Sequence, residues 1–157
     1  MSSLLSQKQW ENADRRTTDL MLYIAGQGQE QEGYFTQESI ERFSCPDLRR
    51  IDELWVDKSK GHFGFSVQKQ ILTSMGIRDY KNIQYEEYER LGKEVGWYEE
   101  GKGWLTYTEL KFDEESSKAG HLPAREDNIR GGCAEGADYG SEGRMVCFDS
   151  RAATCQL

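Results

Sequence analysis

The stretch QWENADRRTTDLMLYIA, Gln9 to Ala25, decides the fold. Trp10, Ala13, Thr17, Leu20 or Met21, and Ile24 recur at steps of three and four, the period of one helical face. Glu11 stands four residues before Arg15, the orientation that favours an ion pair along a helix. Gly26 follows, a residue that tolerates a left-handed C-terminal cap. Leu20 to Ile24 is apolar on every side, so this half of the helix is expected to be buried all round.

Downstream, Gly26 to Gly33 reads as a polar loop with three glycines, followed by Tyr34-Phe35. Thr36 is an N-cap for a short helix with Ile40 and Phe43 on one side. Ser44-Cys45-Pro46-Asp47 starts the next: Ser44 caps, Pro46 suits the first turn, and Asp47 can return a bond as in a capping box. Leu48, Ile51, Leu54 and Trp55 form its inner face, and Lys60-Gly61 breaks it. Phe63 to Ser66 leads into a helix through Val67, Ile71 and Leu72 that stops at Gly76. Tyr80, Ile83, Tyr88, Leu91 and Val95 trace a further, looser helix. Beyond Gly96 the pattern is short and turn-rich, and no alternating segment would build a sheet. The expectation is an all-α fold, a small irregular helical domain of five to seven short helices.

Residues 1–125 read as the helical core and 126–157 as a Gly-rich flexible segment with the C-terminal end. Five glycines between Glu126 and Arg144, with few apolar side chains, cannot bury enough surface to offset the entropy of ordering the backbone. A final short helix is expected within Met145–Leu157.

Twenty basic against 28 acidic residues leave a net charge of −8 over 157 residues. That acidity excludes nucleic acid, whose phosphates need a basic surface. Leu, Ile, Val and Phe together make up less than a fifth of the chain, close to the composition of disordered segments. Eight Tyr, six Phe and four Trp point instead to a modest core built on aromatics. The longest apolar run, Leu20 to Ala25, is far short of the roughly 20 residues of a membrane span. The N-terminus MSSLLS has neither a basic nor an apolar signal region, so a cytoplasmic location is expected, or the plastid stroma if a transit peptide was removed. Cys45, Cys133, Cys147 and Cys155 match no zinc or redox spacing, and free thiols are expected.

Catalytic signals are thin. The only histidines are His62 and His121, and no phosphate loop, nucleophile elbow or metal-binding histidine pair occurs. The informative feature is where aromatics fall: Tyr34-Phe35 beside one loop, and Trp97, Trp104, Tyr107 and Phe112 in a second irregular region. Aromatics on loops serve a flat apolar ligand or a protein partner, or else plug the ends of a small helical core.

Several blocks occur in a characteristic order: Leu20–Gly26, Asp47–Trp55, Gly61-His62-Phe63-Gly64-Phe65-Ser66-Val67-Gln68, Val95-Gly96-Trp97, Gly103-Trp104 and Gly120-His121-Leu122-Pro123. Together they resemble the Genomes Uncoupled Four family of porphyrin-binding activators of magnesium chelatase. Ser150–Cys155 is similar to the C-terminal end of some single-domain members. The resemblance implies a cupped-hand helical fold without chemistry of its own. Its palm would hold protoporphyrin IX or Mg-protoporphyrin IX between two loops, and the protein would stimulate the large porphyrin-binding subunit of magnesium chelatase in chlorophyll biosynthesis. It also implies a peripheral seat at photosynthetic membranes without a transmembrane segment.

Carried over by residue, the first loop is Gly26–Gly33, with Phe35 at an aromatic position and Ile40 nearby. The second is about Trp104–Pro123, with Val95, Trp104 and Leu122 lining the palm and Tyr107 against the macrocycle. Arg130 would meet the propionates, with Arg125 as its rival; Lys111 and Lys118 are the other cations near that loop. Magnesium in the porphyrin needs no protein ligand; His62 and His121 could supply one, but His121 reads first as a structural histidine. Two rivals stay open: a helical protein-interaction module without pigment, and a sensor for a linear bilin.

Overall fold

The structure, a computed structural model, describes residues 1–26, 35–79, 83–124 and 148–157. Most of the loop Gly26–Gly33, Tyr80, the cations Arg125 and Arg130, and the Gly-rich stretch 126–144 lie outside the described residues.

Among the described residues the fold is helical: α1 (Ser2–Ser6), α2 (Trp10–Ile24), α3 (Gln37–Glu41), α4 (Cys45–Lys58), α5 (Phe65–Ser74), α6 (Tyr85–Val95) and α7 (Phe148–Thr154). A two-residue antiparallel pair, β1 (Tyr98–Glu99) with β2 (Gly103–Trp104), and a 3-10 turn, Tyr107–Glu109, follow α6. The local signals explain the helix starts. Thr36 Oγ1 accepts from the Ser39 N–H at 3.1 Å, and Ser44 Oγ from the Asp47 N–H at 3.4 Å. The last long helix begins at Tyr85, later than its apolar period suggests, because the Glu87 carboxylate accepts from the Gln84 N–H at 2.9 Å and caps it there. Gly96, at φ +86°, ends it in a left-handed cap.

The core is aromatic. Trp10, Trp55 and Phe63 cluster where α2, α4 and the turn before α5 meet, with ring centroids 5.2 to 6.2 Å apart. The Trp55 indole N–H donates to Thr17 Oγ1 at 3.1 Å, so a polar residue on the α2 stripe satisfies the buried ring. A second cluster surrounds Phe148 on α7, whose ring meets Phe35 at 4.9 Å, Phe43 at 5.2 Å and Phe65 at 5.9 Å.

Helix α7 packs on α3, α4 and, most extensively, α5. This docking overturns the free-thiol expectation for two of the cysteines. Cys45 and Cys155 form a disulfide with their Cα atoms 5.2 Å apart, across 110 residues of sequence. Spacing rules for metal and redox motifs detect only local pairs, whereas this pair meets because α7 folds back onto the start of α4. Cys133 and Cys147 lie outside the described residues. Among the described residues no helix is long and apolar enough to cross a membrane.

Candidate functional site

The two most distinctive sequence blocks, 61–68 and 120–123, fold against each other. The Gly64 N–H donates to Leu122 O at 2.9 Å and the Gly120 N–H to His62 O at 2.8 Å. Gln68, wholly buried on α5, donates through Nε2 to Gly120 O at 2.9 Å and to Pro123 O at 3.1 Å. Gly120 sits at φ +73°, where a side chain is strained, and a Cβ there would also press on Ile71 Cδ1 at 2.8 Å, so glycine suits the close approach of the second loop to α5.

His121 closes the loop onto the end of α6. Its Nδ1 lies 2.7 Å from Val95 O and its Nε2 accepts from the Lys111 N–H at 3.2 Å. That pairing requires a neutral imidazole protonated on Nδ1. Burial holds its pKa below the usual histidine range, while the Val95 carbonyl pulls the other way. Both ring nitrogens are engaged and the side chain is buried, so His121 offers nothing to a metal in a bound ligand. His62 Nε2 is turned to Ser117 O at 3.2 Å. The histidines serve to fasten the loop, as does the Trp97 indole, which donates to His121 O at 2.7 Å.

A second fastening point is Asp14, on the inward face of α2. Its Oδ2 accepts from the Tyr107 hydroxyl at 2.9 Å and its Oδ1 from the Ala124 N–H at 2.8 Å. Both ends of the second loop thus hang on one fully buried carboxylate. The Arg15 guanidinium lies 5.0 Å over the Tyr107 ring, and Phe112 packs beside it at 5.0 Å. Burial first, then the Asp14 charge, pushes the Tyr107 phenol far above its ordinary range.

The residues expected to line a palm fall into two groups. Phe35 and Ile40, both fully buried, belong to the Phe148 side of the molecule. Val95, Trp104, Tyr107 and Leu122 belong to the second-loop side, and Val95, Tyr107 and Leu122 are buried there. Trp104 keeps partial exposure: it stacks on Tyr88 at 5.5 Å, meets Tyr98 edge-on, and donates to Tyr85 OH at 3.2 Å. Gly92 on α6 makes room for it, since a Cβ there would stand 2.7 Å from Trp104 Cζ3.

Beside this loop opens a cleft of about 260 Å³, walled by Gly96, Tyr98, Leu105 and His121 and edged by Lys111 and Lys118. Two carboxylates, Glu99 and Glu109, also reach it. Glu109 is committed elsewhere: Lys102 at 2.7 Å and the Thr106 backbone and hydroxyl hold its pKa down at about 2. Lys118 donates to Lys93 O at 2.8 Å, and Lys111 is exposed. The cleft therefore combines an apolar wall with an edge of mixed charge, on which Lys111 and Lys118 are the cations.

Sequence reasoning missed Asp14, Asp52 and Gln68. Asp52 Oδ1 accepts from the Ser66 N–H at 2.9 Å and so fastens the start of α5. A signal for Asp14 existed: it stands four residues after Trp10, on the face that the apolar period marks as inward.

The arrangement has counterparts. The family model described as GUN4-like matches residues 1–134. The Ycf53-like protein of Synechocystis sp. (strain ATCC 27184 / PCC 6803 / Kazusa) is 30% identical over 123 residues, 78% of this chain and 48% of that protein. The chloroplastic tetrapyrrole-binding protein of Arabidopsis thaliana is 36% identical over 67 residues, 43% of this chain and 25% of that protein. The chain spans about half the length, or less, of these curated relatives. The ligand-free structure of Arabidopsis thaliana GUN4 matches with a TM-score of 0.64 and 27% identity, over 78% of this chain and 79% of that one.

Proposed function

The chain belongs to the GUN4-like family, and from that premise we propose that it is a non-enzymatic regulator that binds a tetrapyrrole. The ligand is protoporphyrin IX or Mg-protoporphyrin IX, and the loaded protein stimulates magnesium chelatase through its large porphyrin-binding subunit. The setting is chlorophyll synthesis, in a cytoplasm or a plastid stroma.

The observation that carries this reading is the cleft beside the second loop. A porphyrin is a flat apolar disc with two carboxylates. The Tyr98 and Leu105 wall suits its face, and Lys111 and Lys118 supply local positive charge at an edge they share with Glu99 and Glu109. Burying about 200 Å² of one face contributes on the order of 5 kcal/mol, before the costs of association. That alone corresponds to a Kd of roughly 0.2 mM, so tighter binding needs charge pairing at the propionates as well. At about 260 Å³ the cleft is smaller than the roughly 300–1,000 Å³ of closed small-molecule sites, so it takes an edge of the disc and leaves the rest open to a partner. Arg130, or its rival Arg125, would join the lysines at the propionates, with the partly exposed Trp104 as a further apolar contact; Phe35, Ile40, Val95, Tyr107 and Leu122 are buried in this arrangement and would have to be uncovered to join the palm.

Titration with deuteroporphyrin, followed by tryptophan quenching, tests this directly. Lys111→Glu with Lys118→Glu is expected to weaken binding several-fold. Quenching that is absent in the unaltered protein sinks the pigment reading and favours a peptide-binding module; tighter binding of an open-chain bilin favours a sensor. The rate of magnesium insertion by the chelatase, with and without this protein, tests the regulatory half.

A further inference from the structure

Helix α7 is short and is tied by a disulfide to the start of α4. It has seven residues, too few to be stable alone in water, so its helicity depends on docking. Docking is favoured by Phe148, which fills a box formed by Phe35, Phe43 and Phe65. Polar ties add to it: the Arg151 Nε donates to Phe43 O at 2.9 Å, Arg49 to Cys155 O at 2.8 Å and Lys69 to Leu157 O at 2.6 Å. Docking is opposed by Asp149, the residue next to Phe148. Its side chain is fully buried and, among the described residues, neither carboxylate oxygen has a hydrogen-bond donor. An unpartnered carboxyl in such a place favours the undocked helix, where water can reach it. The Cys45–Cys155 disulfide offsets this by tying the far end of α7 to the first residue of α4.

We propose that this disulfide is a thiol-responsive pin: its reduction releases α7, uncovers Phe35 and Ile40, and raises the affinity for the tetrapyrrole. The regulatory consequence rests on the tetrapyrrole reading; the release of α7 does not. Phe35 and Ile40 are fully buried while α7 is docked, so neither is open to a ligand in the oxidised protein. With Phe148 withdrawn, the face of Phe35 that it covers becomes available.

The reductant is a dithiol, either a small one or a protein of the thioredoxin class. One of its thiolates attacks Cys45, which is partly exposed whereas Cys155 is buried. A mixed disulfide forms and Cys155 leaves as a thiolate that takes up a proton. The second thiol of the reductant then displaces Cys45. Two electrons pass, the dithiol becomes a disulfide, and both cysteines end as thiols.

Two measurements on the full chain, with and without dithiothreitol, separate the parts of the proposal. Amide hydrogen exchange over 148–157 should accelerate by roughly tenfold or more on reduction, while the α2 and α4 amides stay protected. The deuteroporphyrin titration should tighten about threefold or more, in line with the added apolar contact. Cys155→Ser should show both changes without reductant, and Cys133→Ser with Cys147→Ser should respond as the unaltered chain does. Unchanged α7 exchange on reduction, or free alkylation of Cys45 and Cys155 before it, overturns the pin. Released α7 with unchanged or weaker porphyrin binding overturns its coupling to the ligand. Released α7 with no quenching in either state leaves the pin standing and removes the tetrapyrrole reading instead.

Discussion

Replacing Tyr107 by Phe removes one oxygen and tests whether this residue is a structural tie. The hydroxyl donates to Asp14 Oδ2 at 2.9 Å in a fully buried setting, while the ring packs against Phe112 and under Arg15. Phe keeps the ring contacts and leaves Asp14 with the Ala124 N–H. A hydrogen bond to a charged acceptor contributes about 1.5–3 kcal/mol, so the expected loss is about 2 kcal/mol. For a chain of 157 residues, each kcal/mol shifts the melting temperature by roughly 2–4 °C, giving a drop of about 6 °C. Thermal unfolding followed by far-ultraviolet circular dichroism reads this, and Asp14→Asn completes a double-mutant cycle with an expected coupling of about 1–2 kcal/mol. A shift below about 1 °C, or additive single changes, would refute the tie. The cycle also addresses the ligand. If Tyr107 stacks on a macrocycle as well, Tyr107→Phe leaves the deuteroporphyrin affinity unchanged, whereas Tyr107→Ala lowers affinity and stability together.

Asp149 should make the protein lose stability as pH rises. Burial raises its carboxyl from 3.8 to about 7, so the unfolded chain ionises first and the loss accumulates between those values and is complete above about 7. Among the described residues neither Asp149 oxygen has a partner: Arg49, Arg151 and Lys69 donate to carbonyls, and Glu38 and Arg42 on α3 pair with each other. Between pH 5 and pH 8, Asp149→Asn should remove about 3 kcal/mol of pH-dependent loss, seen as a flatter melting temperature across that range. His121 acts with the opposite sign: its folded pKa lies below the unfolded one, so stability falls as pH drops below about 6.5, and His121→Asn should flatten that acid limb. The two slopes oppose each other between pH 5 and 6.5, so each is read against its own variant. Gly92→Ala improves helix propensity by up to about 1 kcal/mol but drives a methyl into Trp104 and Tyr98, at a cost of about 1–3 kcal/mol. The expected outcome is a lower melting temperature with altered tryptophan emission, and a rise in stability would show that Trp104 is not seated on Tyr88.

Helix starts and stops were legible in the residues because they are local events. Thr36, Ser44 and Gly96 act within a turn of their own positions, and the stripe from Trp10 to Ile24 needs only the period of the helix to be read. The late start of α6 escaped the apolar pattern because the Glu87 return bond, a polar feature, sets it. Helix α1 was missed, since five residues with one buried side chain, Leu5, carry too short a signal. The ordered blocks from Leu20 to Pro123 carried the family, which the match over residues 1–134 bears out.

What the chain alone determined is where it turns helical, how acidic it is and which family it joins, since each is written in neighbouring residues or their order. Which side chains meet across long separations was decided only by the folded molecule. Asp14 binds groups 93 and 110 residues away, and Cys45 finds Cys155 across 110. The cleft is more local, lined by residues between Gly96 and His121, but the loop that walls it is held in place by the distant Asp14. The reason is physical: a buried carboxylate, a disulfide or a pocket exists only where burial brings several segments together, and no single segment encodes that meeting.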